Sequence, residues 1–401
     1  MVRLRAPVVG LWLWGAVGEA GRLGQTSLCP ARSVSTRPMK ACVFVANHEP
    51  LVVEDITLDA PNQPGEVHVK WAASGVCRSD LSIWEGKLPI PPGSILGHEG
   101  AGVVVSALDS KTGLKAGDHV IGNFVPICGE CFFCTSGQPF LCERGQMVGM
   151  SRFPFVRGDG SRMFGAVGGL ATFAEEAVVH ETALVKIPND FPLEQACLVG
   201  CGVTTGVGAV LNAAKVTKGS TVAVIGCGGV GQSVIQGARI AGAARIIAID
   251  LNEAKRSMAQ RFGATDSCDP SVNDAVSFVQ GMTEGRGADF TFEVVGHTAL
   301  QRQALDMTRA GGACCWVGVP SIMDEVSVPA GMIPLMNKSI IGTIYGSADC
   351  REDFVKFINY AKAGELDLAG MVSRRIKITE INEAFEEMAK GDSIRSVVIH
   401  D

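Results

Sequence analysis

Apolar and polar positions divide the chain into two parts with different patterns. Between Met39 and about residue 190, short β-branched runs alternate with turns that contain Gly, Pro and Asn. Such runs predict compact antiparallel β structure. The clearest of them are Ala41–Val45, Val67–Ala73, Gly102–Val105 and His119–Ile121.

The pattern changes after Cys201. Thr221–Ile225 is a continuous apolar run, and Gly-rich sequence and a helical stretch follow it directly. Similar runs recur at Arg245–Asp250, Phe290–Val295 and Ala313–Gly318. Buried parallel strands joined by crossover helices have this pattern, so the sequence predicts an α/β protein with a doubly wound parallel sheet in its second half.

The end of the chain does not continue the second pattern. After Tyr345 come two helical patches, Asp353–Ala363 and Ile381–Gly391, and then a last apolar run, Arg395–His400. We expect this segment to rejoin the first domain. The predicted domains are therefore residues 39–202 together with 345–401, and residues 203–344 between them.

The composition excludes several classes of protein. Of the 401 residues, 47% are hydrophobic and 19% charged, which does not fit a disordered or fibrous protein. The net charge is −6 and no long Lys/Arg cluster appears, so we expect no nucleic-acid partner. The longest apolar stretch, Ala6–Val17, is shorter than the ~18–20 residues that cross a bilayer, so we expect no membrane span.

Residues 1–38 have the composition of a targeting segment rather than of a folded domain. They contain five arginines, three serines and a single acid, Glu19. An Arg-rich, acid-poor leader favours a mitochondrial transit peptide and hence the mitochondrial matrix. The alternatives are a secretory signal, with Arg3 and Arg5 before the apolar stretch Ala6–Val17, or a disordered tail on a cytoplasmic protein.

A glycine-rich turn predicts a dinucleotide site. Gly226, Gly228 and Gly231 form G-x-G-x-x-G directly after the run Thr221–Ile225, and Asp250 ends the next apolar run. The first glycine permits the tight turn, the second lets the backbone approach the pyrophosphate, and the third lets helix and strand pack closely. A carboxylate at Asp250 would accept hydrogen bonds from the ribose and repel a 2′-phosphate, which favours NAD over NADP.

Four of the 14 cysteines form one compact group. Cys128, Cys131, Cys134 and Cys142 have the spacing C-x2-C-x2-C-x7-C. Four thiolates within so short a segment complete a tetrahedral shell, so we predict a structural Zn²⁺. Two disulfides or an iron–sulfur cluster are the alternatives.

A second group is dispersed along the chain. Cys77, His98 and Cys201 together offer two thiolates and one imidazole, which would leave a fourth zinc position open for water or substrate. Asp80 and Glu99 lie close enough in sequence to orient His98 or to approach the metal.

Six blocks of sequence, taken in order, resemble those of the zinc-dependent medium-chain alcohol dehydrogenases. The similarity runs from about Met39 to the end of the chain. It implies a GroES-like β-rich catalytic domain made from both chain ends, with a Rossmann coenzyme domain inserted between them. The blocks are Gly75–Asp80, Gly97–Glu99, the four-cysteine run, Gly200–Gly206, Gly226–Gly231 and Gly391–Arg395.

The resemblance also assigns roles to individual residues. Cys77, His98 and Cys201 would bind the catalytic zinc with Glu99 beside them, and Ser79 would take the alcohol proton. The remaining positions would bind the coenzyme: Arg78 and Arg395 its pyrophosphate; Gly226, Gly228, Gly229, Val230 and Gly231 as the glycine turn; Asp250 and Lys255 its adenosine ribose; and Thr205, Val317, Gly318 and Val319 its nicotinamide half.

The implied activity is hydride transfer between an alcohol and NAD⁺, with two zinc ions per subunit and a homodimeric or homotetrameric enzyme. Ser82 stands where many relatives end the proton relay with a histidine. Leu88 and Gln146 stand where the glutathione-dependent formaldehyde dehydrogenase branch has an acid and an arginine. Ser82 leaves the outer step of the relay open, whereas Leu88 and Gln146 favour simple primary alcohols, aliphatic or aromatic, over S-(hydroxymethyl)glutathione. We expect Phe124 and Leu88 to line the pocket.

Two further classes stay open as alternatives. One is a zinc-stabilised NAD-binding module, structural or redox-sensing, that has no turnover. The other is a zinc-free quinone or enoyl reductase, which would lack both cysteine groups and prefer NADPH. The complete set of Cys77, His98, Cys201 and Ser79 favours an enzyme with zinc.

Overall fold

The computed structural model describes residues 37–150, 152–321, 323–391 and 394–401. Almost all of the predicted leader, residues 1–38, lies outside the described residues. The strands are β1 Met39–Phe44, β2 Val52–Leu58, β3 Glu66–Gly75, β4 Ser94–Ile95, β5 Glu99–Ala107, β6 His119–Gly122, β7 Phe155–Val156, β8 Arg162–Gly165, β9 Glu176–His180, β10 Leu184–Ile187, β11 Thr221–Ile225, β12 Arg245–Ile249, β13 Asp266–Cys268, β14 Ala288–Glu293, β15 Thr308–Trp316, β16 Ser339–Gly342, β17 Arg374–Ile376 and β18 Ser396–Ile399.

Helices connect and cover these strands. They are α1 Arg78–Trp84, α2 Phe132–Thr135, α3 Gly145–Met150, α4 Leu193–Ala196, α5 Gly202–Gly208, α6 Gly229–Ile240, α7 Glu253–Phe262, α8 Ala275–Gly281, α9 Thr298–Met307, α10 Met332–Leu335, α11 Cys350–Lys362 and α12 Ile381–Lys390. Short 3₁₀ turns add to them, and a π-helical segment, Ala209–Ala213, follows α5 directly.

The first half of the chain forms β structure, as its sequence predicts. Strands β1, β2, β7, β8 and β4 close a small barrel, and a second sheet has the order β10-β6-β5-β3-β18-β17, with β9 also paired to β3. The last strand, β18, is antiparallel to β3, with Val397 opposite Gly75. The C-terminal segment therefore joins the first sheet.

The second half forms one parallel sheet in the order β13-β12-β11-β14-β15-β16. Relative to the first strand of the unit, this is the order 3-2-1-4-5-6 of a doubly wound dinucleotide-binding sheet. The predicted run Thr221–Ile225 is strand β11 without change, whereas β15 begins at Thr308, five residues before the predicted run. The predicted domain limits at 202/203 and 344/345 stay predictions.

One continuous hydrophobic core joins the two halves. It contains Ala101 and Ile121 from the second sheet as well as Val222 and Val224 from the parallel sheet. Helix α6 adds Val234, Ile235 and Ala238, which lie on the helix face at the spacing that an amphipathic helix buries. Residues at the ends of β3, β5 and β11 are thereby brought close to one another.

Among the described residues no single helix is long and apolar enough to cross a membrane, although two consecutive helical segments bent by 57°, Leu193–Gly200 and Gly202–Ala213, reach that length together. The thirteen described cysteines are all free thiols. The disulfide alternative for the four-cysteine run is therefore not supported.

Candidate active site

Four potential metal ligands meet at the ends of β3 and β5. The ligand atoms of Cys77, His98, Glu99 and Cys201 all lie within 4.8 Å of one another, and all four side chains are buried. Strand pairing explains the meeting, because Gly75 at the end of β3 lies opposite Glu99 at the start of β5. Cys77 precedes α1 and Cys201 precedes α5, so each thiol projects from a helix start.

Asp80 fixes the orientation of His98. Its Oδ1 accepts a hydrogen bond from the backbone N–H of Gly97 at 3.0 Å and lies 3.1 Å from Nδ1 of His98. A carboxylate that holds Nδ1–H leaves Nε2 as the nitrogen available to a metal. This is the orienting contact that the sequence predicts for Asp80.

The charges in the cluster favour a thiolate. The sulfurs of Cys77 and Cys201 are 3.9 Å apart, and a hydrogen bond from Cys201 holds the pKa of Cys77 well below its usual range, with help from nearby His98. The same hydrogen bond and burial raise the pKa of Cys201. Although burial alone would lower it, the pKa of His98 is held well above its usual value by Asp80 and Cys77.

Glu99 connects this cluster to a buried arginine. Its Oε1 accepts hydrogen bonds from Nη1 of Arg395 at 3.1 Å and from the backbone N–H of Gly202 at 3.2 Å. Its Oε2 is buried and has no hydrogen-bond partner among the residues that the structure describes. Burial raises the pKa of Glu99 to about 8, even though Arg395 opposes the shift.

The donor set fits a zinc ion. Two thiols, an imidazole and a buried carboxylate oxygen without a partner are groups that bind Zn²⁺. Ser79 lies in the first turn of α1, with its Oγ 3.8 Å from the sulfur of Cys77. A hydroxyl is therefore available beside the cluster.

The second cysteine group also closes around a common centre. Its sulfur pairs Cys128–Cys134 and Cys131–Cys142 are 3.9 and 4.0 Å apart. A tetrahedral site with Zn–S bonds of about 2.3 Å places its sulfurs about 3.8 Å apart. The backbone N–H groups of Glu130 and Cys131 both point at the sulfur of Cys128, at 3.4 Å, which stabilises a thiolate there. The arrangement fits a closed structural zinc site.

The glycine turn has the geometry that a pyrophosphate requires. A methyl group at Gly231 would lie 1.8 Å from the carbonyl oxygen of Gly226, so the helix packs directly on the turn. Gly228, in contrast, faces open space. Asp250 follows β12 and accepts hydrogen bonds from the backbone N–H groups of Cys227 and Asn252, at 2.7 and 2.8 Å.

Arg395 packs against the glycine turn, whereas Arg78 forms an exposed ion pair with Glu85. A methyl group at Gly229 would lie 2.7 Å from Nη2 of Arg395, so the buried guanidinium packs between the turn and Glu99. The side chain of Arg78 is 53% exposed and forms an ion pair with Glu85 at 3.2 Å. The structure thus places the two predicted pyrophosphate-binding arginines in different surroundings.

The predicted nicotinamide and ribose contacts surround the same turn. Thr205 is half-buried on α5, which packs tightly on α6: a methyl group at Gly206 would lie 2.5 Å from the carbonyl oxygen of Val230. Nζ of Lys255 lies 3.4 Å from the place where Gly391 would carry a methyl group. The predicted stretch after β15 begins with the buried Val317, continues through the partly buried Gly318 and ends with the exposed Val319.

Sequence reasoning missed Glu293, which shapes the loop beside that edge. Its Oε1 accepts hydrogen bonds from the backbone N–H groups of Val295 and Gly296, at 2.9 and 2.8 Å. Gly296 in turn packs against the backbone of Val319. The available signal was an acid inside the apolar run Phe290–Val295, where an unpaired charge would be costly.

An aromatic ring covers one side of the metal cluster. The ring of Phe124 meets His98 edge to face, with centroids 5.5 Å apart, and stacks on Tyr345 at 3.9 Å. Leu88, the other predicted lining residue, is half-buried and packs against a separate hydrophobic core that contains Phe44 and Leu96.

Comparison with known proteins identifies the family. The alcohol dehydrogenase GroES-like domain matches residues 63–189, and the zinc-binding dehydrogenase domain matches residues 229–362. S-(hydroxymethyl)glutathione dehydrogenase of Saccharomyces cerevisiae is 39% identical over 383 residues, which cover 91% of this chain and 97% of that protein. The chain belongs to the zinc-dependent medium-chain alcohol dehydrogenase family.

Two solved structures of this family share the fold. An alcohol dehydrogenase zinc-binding domain protein from Burkholderia ambifaria has a TM-score of 0.87 at 29% identity, covering 92% of this chain and 100% of that one. Benzyl alcohol dehydrogenase from Acinetobacter calcoaceticus has a TM-score of 0.83 at 27% identity, covering 91% and 100%. The GroES-like and Rossmann domains predicted from the sequence are confirmed, and this dehydrogenase is an oxidoreductase that uses zinc and a nicotinamide coenzyme.

Proposed function

We propose that this dehydrogenase oxidises primary alcohols, aromatic ones included, to aldehydes with NAD⁺ as hydride acceptor. The observation that carries the proposal is the position of Phe124, whose ring meets that of His98 in an edge-to-face arrangement, with centroids 5.5 Å apart. A flat apolar surface beside the metal ligands suits a benzyl group better than a polyol. Cys77, His98 and Cys201 would hold the catalytic zinc, with Glu99 beside them.

The residues around the cluster would orient the reactants and move the proton. When bound, zinc supplies the Lewis-acid chemistry that lowers the pKa of an alcohol hydroxyl. Ser79 is the group placed to accept the hydroxyl proton, since its Oγ lies beside Cys77. The outer end of the relay is open, because Ser82 lies half-buried on the same helix where relatives have a histidine.

Asp250 supports NAD rather than NADP. Its carboxylate lies at the carboxyl end of β12, next to the glycine turn, where it would meet the adenosine ribose. A 2′-phosphate there would face a negative charge. Lys255, on the same side of the turn, would contribute a cation to the ribose hydroxyls.

S-(hydroxymethyl)glutathione is the competing substrate. It is favoured by the name of the Saccharomyces relative, whereas Leu88 and Gln146 in this sequence speak against it, because the acid and arginine expected for the adduct are absent. A small apolar alcohol has no need of those charges.

A substrate and coenzyme panel decides between these possibilities. We expect NADH formation with benzyl alcohol and ethanol, a preference for NAD⁺ over NADP⁺, and at least tenfold lower kcat/KM with S-(hydroxymethyl)glutathione and sorbitol. Phe124→Ala should lower kcat/KM for benzyl alcohol more than for ethanol, while Phe153→Ala, which removes an exposed ring packed on Phe164, should change neither. A higher kcat/KM with S-(hydroxymethyl)glutathione would overturn the proposal. NADH binding without turnover of any alcohol would favour the structural or redox-sensing module.

We also propose that residues 1–38 direct the protein to the mitochondrial matrix and that the mature enzyme is a homodimer or homotetramer. Thiolate ligands at both zinc sites require a reducing compartment, which supports the matrix or the cytoplasm over secretion. The start of the mature protein in purified mitochondria, read by N-terminal sequencing, tests the first proposal. Light scattering of the purified enzyme tests the second, and a monomer would refute it.

A further inference from the structure

Tyr345 has an unusual backbone conformation at the point where the chain leaves the parallel sheet. It is buried, with φ +54°, and the next two residues, Gly346 and Ser347, have φ of +65° and +51°. A bulky residue in the left-handed region costs about 1–3 kcal/mol and persists only when its surroundings fix it. The contacts of Tyr345 should therefore explain why this conformation is kept.

The hydroxyl of Tyr345 contacts the turn that carries a zinc ligand. It donates a hydrogen bond to the carbonyl oxygen of Gly200, the residue before Cys201. Cys201 itself has φ −148° and ψ −75°, outside the helical and extended regions. The hydrogen bond from Tyr345 thus fixes the carbonyl of Gly200 at the point where the 3₁₀ turn Cys197–Gly200 ends and Cys201 begins the transition to α5.

The backbone next to Tyr345 packs against α5 with no room to spare. A methyl group at Gly346 would lie 2.3 Å from the carbonyl oxygen of Thr204 and 2.8 Å from Cα of Gly208. This contact anchors the left-handed turn on the helix that begins at Cys201. The position of the Tyr345 side chain is thus set by the same helix whose start it contacts.

The ring of Tyr345 lies behind Phe124, the ring that covers one side of the metal cluster. It stacks on Phe124, with centroids 3.9 Å apart and planes at 31°, and it meets Phe354 edge to face, with centroids 6.4 Å apart. Phe124 in turn meets the ring of His98. One side chain therefore touches the neighbour of Cys201 through its hydroxyl and the neighbour of His98 through its ring.

We propose that Tyr345 is a positioning residue for alcohol oxidation: its hydroxyl fixes the Cys201 ligand, and its ring fixes the Phe124 wall of the alcohol pocket. The two halves of the side chain do different work. The role of the hydroxyl concerns the zinc that the family binds. The role of the ring rests on the proposed function, because it concerns the alcohol pocket.

The hydroxyl is tested with Tyr345→Phe, which keeps the ring. A net hydrogen bond of about 0.5–1.5 kcal/mol corresponds to a factor of about 3–10. We expect the catalytic zinc to be released to a chelator 3–10 times faster than in the parent enzyme, with the release of the structural zinc unchanged. With Co²⁺ at the catalytic site, the visible absorption bands should shift. Tyr360→Phe, the other tyrosine of the chain, is the control and should change neither readout.

The ring is tested with Tyr345→Leu, compared with Tyr345→Phe. The leucine variant should lower the ratio of kcat/KM for benzyl alcohol to that for ethanol by about tenfold, while the phenylalanine variant should keep the ratio. Parent-like zinc release and Co²⁺ bands in Tyr345→Phe would overturn the role of the hydroxyl. An unchanged alcohol ratio in Tyr345→Leu would overturn the role of the ring. Zinc release is independent of substrate, so failure of the proposed alcohol specificity would be seen separately.

Discussion

At the scale of single residues, the metal cluster depends on a side chain outside the set of four potential ligands, Asp80. Asp80 is fully buried and holds both the backbone N–H of Gly97 and Nδ1 of His98. It therefore positions the loop and selects the ring nitrogen that can bind zinc.

Replacing this carboxylate should weaken zinc binding without unfolding the protein. In Asp80→Asn the amide keeps an acceptor for Gly97 but loses the charge that holds Nδ1–H of His98. We expect a loss of about 10- to 100-fold in zinc affinity at the catalytic site, measured by competition with a chelator. The control is Asp118→Asn, since Asp118 is also buried but pairs with Lys186, 2.7 Å away. Equal zinc affinity in the two variants would contradict this role for Asp80.

A second residue, His400, should make the stability of the protein depend on pH. His400 hydrogen-bonds the carbonyl oxygen of Thr172 through Nε2, and burial lowers the pKa of His400 to about 4. In the unfolded chain its pKa is about 6.5. Between these values the unfolded state binds the extra proton, so the free energy of unfolding falls as the pH decreases from about 6.5 to 4.

Urea denaturation at pH 7 and pH 5 measures this contribution. We expect His400→Gln, which can still donate to Thr172, to lose about 1–2 kcal/mol less than the parent between the two pH values. His48→Asn is the control, because His48 is exposed and its φ of +63° suits asparagine. If His400→Gln and the parent protein lost the same free energy of unfolding between pH 7 and pH 5, the assignment to His400 would be wrong.

At the scale of elements, the glycine turn separates folding from coenzyme binding. Gly231 packs on the carbonyl of Gly226, whereas Gly228 faces open space on the side where a pyrophosphate would lie. Gly228→Ala should therefore leave the free energy of unfolding within about 1 kcal/mol of the parent but weaken NADH binding at least tenfold. Gly231→Ala should lower both the free energy of unfolding and the affinity for NADH. Fluorescence titration with NADH and urea denaturation check this, and normal NADH affinity in Gly228→Ala would contradict it.

Most of these elements could be predicted from the sequence, because their signals are local. The run before Gly226 predicts β11 to the residue, and the cysteine spacing predicts a metal lobe. Contacts between distant segments carry no such signal. One such contact is the pairing of Gly75 with Glu99. Another is the hydrogen bond from Tyr345 to Gly200, which joins residues more than a hundred positions apart. Both depend on how the whole chain folds back on itself. The ion pair of Arg78 with Glu85, which the sequence did not predict, competes with the predicted binding of the coenzyme pyrophosphate by Arg78.

At the scale of the whole molecule, Arg395 connects the metal cluster to the coenzyme turn. It lies just before β18, the C-terminal strand that joins the first sheet, and its guanidinium packs between Glu99 and Gly229. Its Nε is buried and has no hydrogen-bond partner in the described part of the chain. A single side chain thus contacts both the metal cluster and the glycine turn, so we propose that it couples the zinc and coenzyme sites.

A double-mutant cycle distinguishes the structural from the coenzyme-binding role of Arg395. At pH 9, above the pKa of about 8 that burial gives Glu99, the carboxylate and Arg395 form a buried ion pair. Removing one partner of such a pair costs about 3–5 kcal/mol, because the other charge stays buried. Arg395→Met should therefore lower the free energy of unfolding by about that amount, and the additional change Glu99→Gln should restore most of it. NADH affinity should fall at least tenfold in Arg395→Met and should not recover in the double variant, since a lost charge-assisted contact to phosphate has no substitute. Recovery of NADH affinity together with stability would show that Arg395 serves only to neutralise Glu99.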